Sequence, residues 1–179
     1  MLAILVVETN RKNKSDYIYL KKYMGVFFDI GSDIIRPVYL KGKTNYNDSA
    51  RIKEIQGLIS DYKSIPREDN RIAVLYFIDT DDISRGPNAN KNKKLNSDIK
   101  RFCKTNGFEF VWFHEVIEQV FIGTRVPDKE KKAFAERFAS RRIYNFNRSK
   151  LCYRDCNQCI EGSSNIDLIL KNFFSEKTT

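Results

Sequence analysis

Short apolar stretches recur along the first two thirds of the chain. Residues 2–8 and 72–78 are nearly continuous apolar runs, a pattern typical of strands that are covered on both faces. The segments DIIRPVYLKG and FEFVWF predict two more strands. Pro37 in the first of these favours a position at the edge of the sheet, because proline cannot donate a ladder hydrogen bond. The hydrophobic pattern therefore predicts about four strands.

Amphipathic segments separate these strands. SDYIYLKKYM begins with Ser15 as an expected N-cap, and NKKLNSDIKRFCKTNG ends at Gly107 as an expected C-cap. Between them, NDSARIKEIQGLISDYKS places Ile52, Ile55 and Ile59 on one helical face. Strands that alternate with helices are typical of a parallel sheet with helices on both faces. We therefore predict an α/β fold with a mostly parallel central sheet of about four strands, flanked by helices.

The rest of the chain has a different pattern. The polar stretch 83–97 is rich in Asn and Lys and predicts a mobile loop. From about residue 114 onward the pattern is mainly helical. We expect a domain over residues 1–124 and a basic, cysteine-containing helical extension over residues 125–179 that packs on it.

Charge indicates the kind of partner. The 179 residues include 32 Lys and Arg against 23 Asp and Glu, and the net charge of +9 favours anions such as nucleic acid. No apolar run approaches the roughly 18 residues of a membrane span, so we expect no membrane partner. The first apolar run is too short for a secretory signal, and four cysteines without such a signal favour a reducing compartment. We therefore expect a cytoplasmic location.

Carboxylates follow two of the predicted strands. Glu8 ends the first strand and Asp79 ends the third, so in a parallel sheet both arrive at the same edge. Asp81 lies two residues after Asp79 and points to the same side if the strand continues. Clustered carboxylates repel each other unless a cation lies between them, and they are the ligands that Mg²⁺ or Mn²⁺ prefers. The alternative is a simple turn, in which the Asp side chains cap the backbone near Ser84.

The arrangement of these acids resembles the Toprim fold of topoisomerases, primases and several nucleases. That family places a Glu after its first strand and an Asp-x-Asp pair after a later strand, matched here by ILVVETN and YFIDTDD. Over roughly residues 2–122 the chain is most similar to small defence-associated members of the RloB and OLD-nuclease kind. In those proteins a further Glu follows, which is Glu115 or Glu118 here. Thr9 stands where the family usually has Gly.

The resemblance implies metal-dependent hydrolysis of DNA or RNA, in the setting of anti-phage defence. It implies that Asp79 and Asp81 hold magnesium, that Glu8 completes the site or acts as general acid or base, and that Glu118 binds a second metal. Three lysines that follow the acids are expected to hold flanking phosphates, namely Lys91, Lys93 and Lys94. A partner ATPase or another subunit of a defence system is a further expectation.

Two other functions stay open at this stage. The first is a non-catalytic nucleic-acid-binding or regulatory subunit that keeps the Toprim fold, for which Thr9 in place of Gly is the main argument. The second is a small-molecule phosphatase of the haloacid dehalogenase type, because DTDDI approximates the opening motif of that family. That motif normally ends the first strand, whereas here it lies much later in the chain.

A cysteine cluster lies in the predicted extension. The spacing of Cys152, Cys156 and Cys159 brings three thiols together, and thiolates favour Zn²⁺ or an iron–sulfur cluster. The fourth zinc ligand would be Cys103 or His114. The alternative is a buried helix face that uses cysteine as a small hydrophobic residue.

A basic segment, KEKKAFAERFASRRIYNFNRSK, precedes these cysteines. Phe134 and Phe138 are four residues apart and predict a helix that docks an apolar stripe on the core. The arginines on the other side of that helix are then available to nucleic acid, and we expect this role for Arg137, Arg141 and Arg142.

Overall fold

The computed structural model describes residues 1–84, 86–141, 147–156 and 160–178. The strands are β1 (Leu2–Val7), β2 (Phe28–Asp29), β3 (Ile34–Tyr39), β4 (Ile72–Asp79), β5 (Glu109–Phe113) and β6 (Ser175–Glu176). The helices are α1 (Ser15–Phe27), α2 (Ser49–Lys63), α3 (Ala89–Asn106), α4 (Ile117–Ile122), α5 (Lys131–Ser140) and α6 (Ile166–Leu170).

A four-stranded parallel sheet forms the centre of the fold, with the strand order β3-β1-β4-β5. In its register Leu5 lies between Pro37 of β3 and Leu75 of β4. The predicted α/β class and parallel sheet are confirmed, and so is the helical character of the C-terminal part. Pro37 lies on an edge strand, where its missing N–H leaves no gap in the ladder.

Two helical layers cover the sheet. The side chains of Ala3, Leu5 and Val7 face α1 and the C-terminal helices, whereas those of Leu2, Ile4 and Val6 face α2 and α3. This alternation follows from the two-residue period of a strand, and it explains why β1 is apolar at every position. Because β1 connects to α1 on one face and β4 connects to α3 on the other, the topological switch point lies between β1 and β4.

The predicted loop over residues 83–97 is wrong for its second half, because α3 begins at Ala89. Tertiary contacts explain this helix despite its polar sequence. Asn96, Ile99 and Cys103 are buried along one face, and the Asn96 side-chain amide donates to the Thr80 carbonyl at 3.0 Å. The predicted capping role of Ser15 is also wrong, because Lys14 is the N-cap and Ser15 is buried within the first turn of α1.

The outer edge of β5 is covered by the segment 163–165. The side chain of Asn165 accepts from the Trp112 N–H at 2.9 Å and donates to the Phe110 carbonyl at 2.9 Å, so one amide pairs with the strand as a neighbouring backbone would. Ser164 donates its hydroxyl to the Trp112 carbonyl at 2.5 Å. These contacts protect an edge that would otherwise be open to pairing with another chain.

In the basic segment, α5 docks on α1 through a single phenylalanine. Phe138 is 1 % exposed, and its ring centroid lies 4.9 Å from that of Tyr19 and 5.7 Å from that of Phe121. Phe134 is only partly buried and is covered by the guanidinium of Arg137 at 5.3 Å. None of the helices in the described ranges is both long and apolar enough to cross a membrane.

Candidate functional site

The switch point of the sheet carries a group of carboxylates, which we call the acidic rim and define as Glu8, Asp16, Asp79, Asp81 and Glu118. At its centre, the residue that follows β1 contacts the last residue of β4. Glu8 follows β1, and its Oε1 accepts the backbone N–H of Asp79, the last residue of β4, at 2.7 Å. Open α/β sheets bind their ligands at such a switch point, beyond the carboxyl ends of the strands.

Asp79 also positions α4. Its Oδ1 accepts the N–H of Ile117, the first residue of α4, at 2.8 Å. This contact brings Glu118, the next residue, to the rim. The Glu118 side chain is fully buried, and neither of its carboxylate oxygens has a hydrogen-bond partner within the described part of the chain. An unsatisfied buried carboxylate is costly, so its presence here suggests a functional requirement.

Asp16 is the member of the rim that sequence reasoning missed. It lies in the first turn of α1, is 7 % exposed, and accepts the N–H of Thr9 at 3.1 Å. An acidic residue in the first turn of the helix after β1 was the available signal, because that turn returns to the same edge of the sheet as Glu8.

Two lysines lie among these carboxylates. Lys43 follows β3 and is 8 % exposed, and its Nζ lies 2.8 Å from the Asp79 carbonyl oxygen and 2.5 Å from Asp81 Oδ2. Lys131, the first residue of α5, has its Nζ 3.9 Å from Glu118 Oε1 and 3.4 Å from Asp128 Oδ1. Both lysines reduce the negative charge of the rim, and neither was predicted from the sequence to belong to the site.

The backbone after β4 turns sharply. Asp81 has φ 52° and Glu115 has φ 60°, and the two residues form an isolated bridge in which the Asp81 N–H donates to the Glu115 carbonyl at 2.9 Å. Left-handed conformations are uncommon for residues other than glycine and cost about 1–3 kcal/mol each. Because β4 ends at Asp79, the alternation expected to place Asp79 and Asp81 on one side does not extend to Asp81.

Glu115 belongs to the same turn but is not a member of the acidic rim. Its carboxylate pairs with Arg125 at 2.6 Å. A cavity of about 390 Å³ opens beside Asp81, and its lining includes Arg125, Asn88 and Asn92. The rim is therefore adjacent to a polar space large enough for part of a substrate.

Burial raises the pKa values of four carboxyls of the rim, those of Glu8, Asp16, Asp79 and Glu118. The pKa of Glu8 rises from its ordinary value of 4.5 to about 8, because the carboxyl loses hydration and lies near Asp16, although Lys43 opposes the rise. Burial also raises the pKa of Asp16, and burial together with Glu8 raises that of Asp79 well above its usual range. The pKa of Glu118 is raised by burial against the opposing charge of Lys131. These carboxyls therefore retain protons at a pH where exposed ones are ionised.

The predicted metal site is wrong. Within the described ranges, no group of three or more His, Cys, Asp or Glu side chains is arranged to hold a metal ion. The expected Mg²⁺ or Mn²⁺ at Asp79, Asp81, Glu8 and Glu118 is therefore corrected. The contacts give the reason: Glu8 and Asp79 each accept a backbone N–H, Asp81 turns to Lys43, and Glu118 lies near Lys131.

The prediction of Zn²⁺ or an iron–sulfur cluster is overturned by the same finding. Cys152 is partly exposed, Cys156 is buried and Cys159 lies outside the described residues. Cys103 and Cys156 both pack in the apolar cluster between the sheet and α3. Burial raises the pKa of the Cys103 thiol to about 12 and also raises that of Cys156, which disfavours the thiolate that a metal requires.

Most of the described residues that were predicted to contact nucleic acid lie on two helices. Lys91, Lys93 and Lys94 are exposed on the first turns of α3 rather than in a loop. Arg137 is exposed on α5 and Arg141 directly follows it, whereas Arg142 lies outside the described residues.

Comparisons with known proteins assign no family to this arrangement. No family model, curated protein or solved structure matches the chain.

Proposed function

We propose that this chain is a nuclease that hydrolyses phosphodiester bonds of DNA or RNA at the acidic rim. The observation that carries the proposal is the convergence of buried carboxyls with raised pKa values at the switch point of a parallel sheet. Strongly perturbed carboxyls in a polar cleft are a signature of acid–base catalysis. The net charge of +9 and the resemblance of the motifs to Toprim nucleases support nucleic acid as the substrate.

A group of acids must avoid repelling an anionic substrate. Full ionisation of the rim would repel a phosphodiester, but Glu8, with a pKa of about 8, is mostly neutral at pH 7, and the raised pKa values of Asp16 and Asp79 favour their neutral forms. Lys43 and Lys131 offset much of the remaining negative charge. The rim is thus compatible with a bound phosphate, and the two ammonium groups supply the positive charge that stabilises its developing negative charge.

Hydrolysis by this route uses carboxyls in two protonation states. Glu8 and Asp79, protonated where β1 and β4 meet, supply the proton to the departing oxygen of the sugar, and an ionised carboxylate of the rim accepts a proton from the attacking water. The water oxygen forms the new bond to phosphorus as the bond to the sugar oxygen breaks, which yields a phosphomonoester and an alcohol. Asp81, paired with Lys43 and 46 % exposed, is our candidate for the base.

One set of contacts favours a second candidate, a non-catalytic nucleic-acid-binding subunit. Glu8 and Asp79 both accept backbone N–H groups, so each already has a structural role in joining β1, β4 and α4. For either candidate, we propose that the chain acts in the cytoplasm as a component of a defence system that includes a partner such as an ATPase.

The direct test is cleavage of end-labelled single- and double-stranded DNA and RNA by the wild type and by Asp79→Asn. Asn keeps the Oδ1 acceptor for the Ile117 N–H and removes only the acid, so the fold should survive. We expect the wild type to cut at least one of these polymers, and the variant to be slower by about 100-fold or more.

The matched control is Asp61→Asn, which makes the same change at an exposed position of α2. It should cut like the wild type when purified in parallel. Equal cleavage by the wild type and Asp79→Asn would refute the active site, because the activity would not depend on the rim. Binding of nucleic acid by all three proteins without cleavage would favour the non-catalytic candidate.

A further inference from the structure

A second concave surface lies on α3, away from the rim carboxylates. It encloses about 280 Å³ and is lined along the helix by Lys93, Ser97, Lys100 and Lys104, with Asn96 and Arg101 beside them. Ile83 and Cys156 form the rest of its lining. We call this surface the α3 groove.

The cations of the α3 groove form a row. One face of α3 carries Lys93, Ser97, Lys100 and Lys104, which follow one another at intervals of four, three and four residues. The three lysines of this face form a row about 16 Å long at 1.5 Å per residue. All three lysines are exposed. Arg101 pairs with Asp98 at 2.6 Å, but the salt bridges found within the described ranges engage none of the three lysines. The row therefore keeps its positive charge available to an anion.

The α3 groove is connected to the acidic rim. Asn96, in the groove, donates to the carbonyl of Thr80, the residue between Asp79 and Asp81. Asn92 lines the cavity beside Asp81, and the next residue of α3, Lys93, lines the groove. An anionic chain lying along α3 therefore passes directly from the groove to the rim.

We infer that the α3 groove binds the sugar–phosphate backbone of a single nucleic-acid strand and leads that strand to the acidic rim. The inference rests on the proposed function, and it adds Lys100 and Lys104 to the surface that the sequence indicated. A row of lysines on one helix face matches the repeated charge of a phosphate backbone, and such contacts do not depend on base sequence.

The test is the salt dependence of binding to fluorescein-labelled 20-nucleotide single strands of DNA and RNA, measured by fluorescence anisotropy. All proteins carry Asp79→Asn, so that the probe stays intact. The test variant adds Lys100→Gln and Lys104→Gln. Its matched control adds Lys53→Gln and Lys63→Gln, which remove two exposed lysines from equivalent positions of α2, one within the helix and one in its last turn.

We expect the α3 variant to bind about tenfold more weakly. Its slope of log affinity against log salt should fall in magnitude by about 1.4, since each phosphate contact on a single strand contributes about 0.7. The α2 control should keep the slope of the parent protein. Equal slopes for the two variants would overturn the inference and leave the nuclease proposal intact, whereas no binding of either probe by the parent would overturn both.

Discussion

Replacing Glu8 by Gln should stabilise the protein, although it removes a residue from the centre of the proposed active site. Gln keeps an oxygen at the position that accepts the Asp79 N–H and cannot ionise. A carboxyl whose pKa is raised on folding destabilises the native state once the pH exceeds its unfolded value, because the native form must then hold a proton that the unfolded form has released. The rim therefore disfavours the ionised form of Glu8.

The magnitude follows from the pKa of Glu8, which rises from 4.5 to about 8. Each pKa unit corresponds to 1.36 kcal/mol, so the destabilisation is close to zero at pH 4, about 3 kcal/mol at pH 7 and nearly 5 kcal/mol at pH 9. Below pH 4.5 the wild type should therefore be about as stable as Glu8→Gln. As the pH rises to about 8, the wild type should become progressively less stable than the variant.

Urea unfolding at pH 4, 7 and 9 measures this difference, with the fluorescence of the buried Trp112 as the probe. The control is Glu136→Gln on the exposed side of α5, where we expect a change below about 1 kcal/mol at every pH. A Glu8→Gln protein that is less stable than the wild type at pH 7, or a difference that does not grow with pH, would refute the argument from burial.

Two further predictions concern the fold. Phe138→Ala should lower the free energy of unfolding by about 3–5 kcal/mol, because it empties space between Tyr19 and Phe121, whereas Phe134→Ala on the partly exposed side of α5 should lower it by less than half as much. Equal losses in urea unfolding would contradict the docking of α5 through Phe138. Asn165→Ala should leave the N–H of Trp112 and the carbonyl of Phe110 unpaired, at a cost of about 1–3 kcal/mol for each. Hydrogen exchange of the Trp112 amide should then accelerate, and unchanged protection would show that other groups cover this edge of β5.

Local patterns were sufficient for the class of the fold. The apolar runs of β1 and β4 are buried on both faces, and this burial depends only on a two-residue period and on apolar side chains. Pro37 identified an edge strand for an equally local reason, its missing N–H. The start of helix α3 was not predicted correctly, because its first turns are polar and the helix is held by contacts such as that of Asn96 with the Thr80 carbonyl.

The candidate site also combines features that the sequence predicted with features that only the folded protein shows. Chain order and strand ends were enough to place Glu8 and Asp79 at one edge of the sheet, because parallel strands carry their carboxyl ends to a common edge. The sequence did not indicate that Lys43 and Lys131 belong to the site, because Lys43 follows a different strand and Lys131 begins a helix far along the chain. The metal prediction failed for this reason: clustered acids require compensating charge, and these two ammonium groups supply it.

Periodicity, composition and the order of elements thus decided the α/β architecture, the edge at which the acids meet and the positive net charge, because each depends on residues near in sequence or on simple sums. The protonation of the rim, the contacts that hold Asp16 and Glu118 in it, and the link between the α3 groove and Asp79 depended on the folded protein alone. They arise from burial and from contacts between residues distant in sequence, and those exist only after the sheet and its helices have packed together.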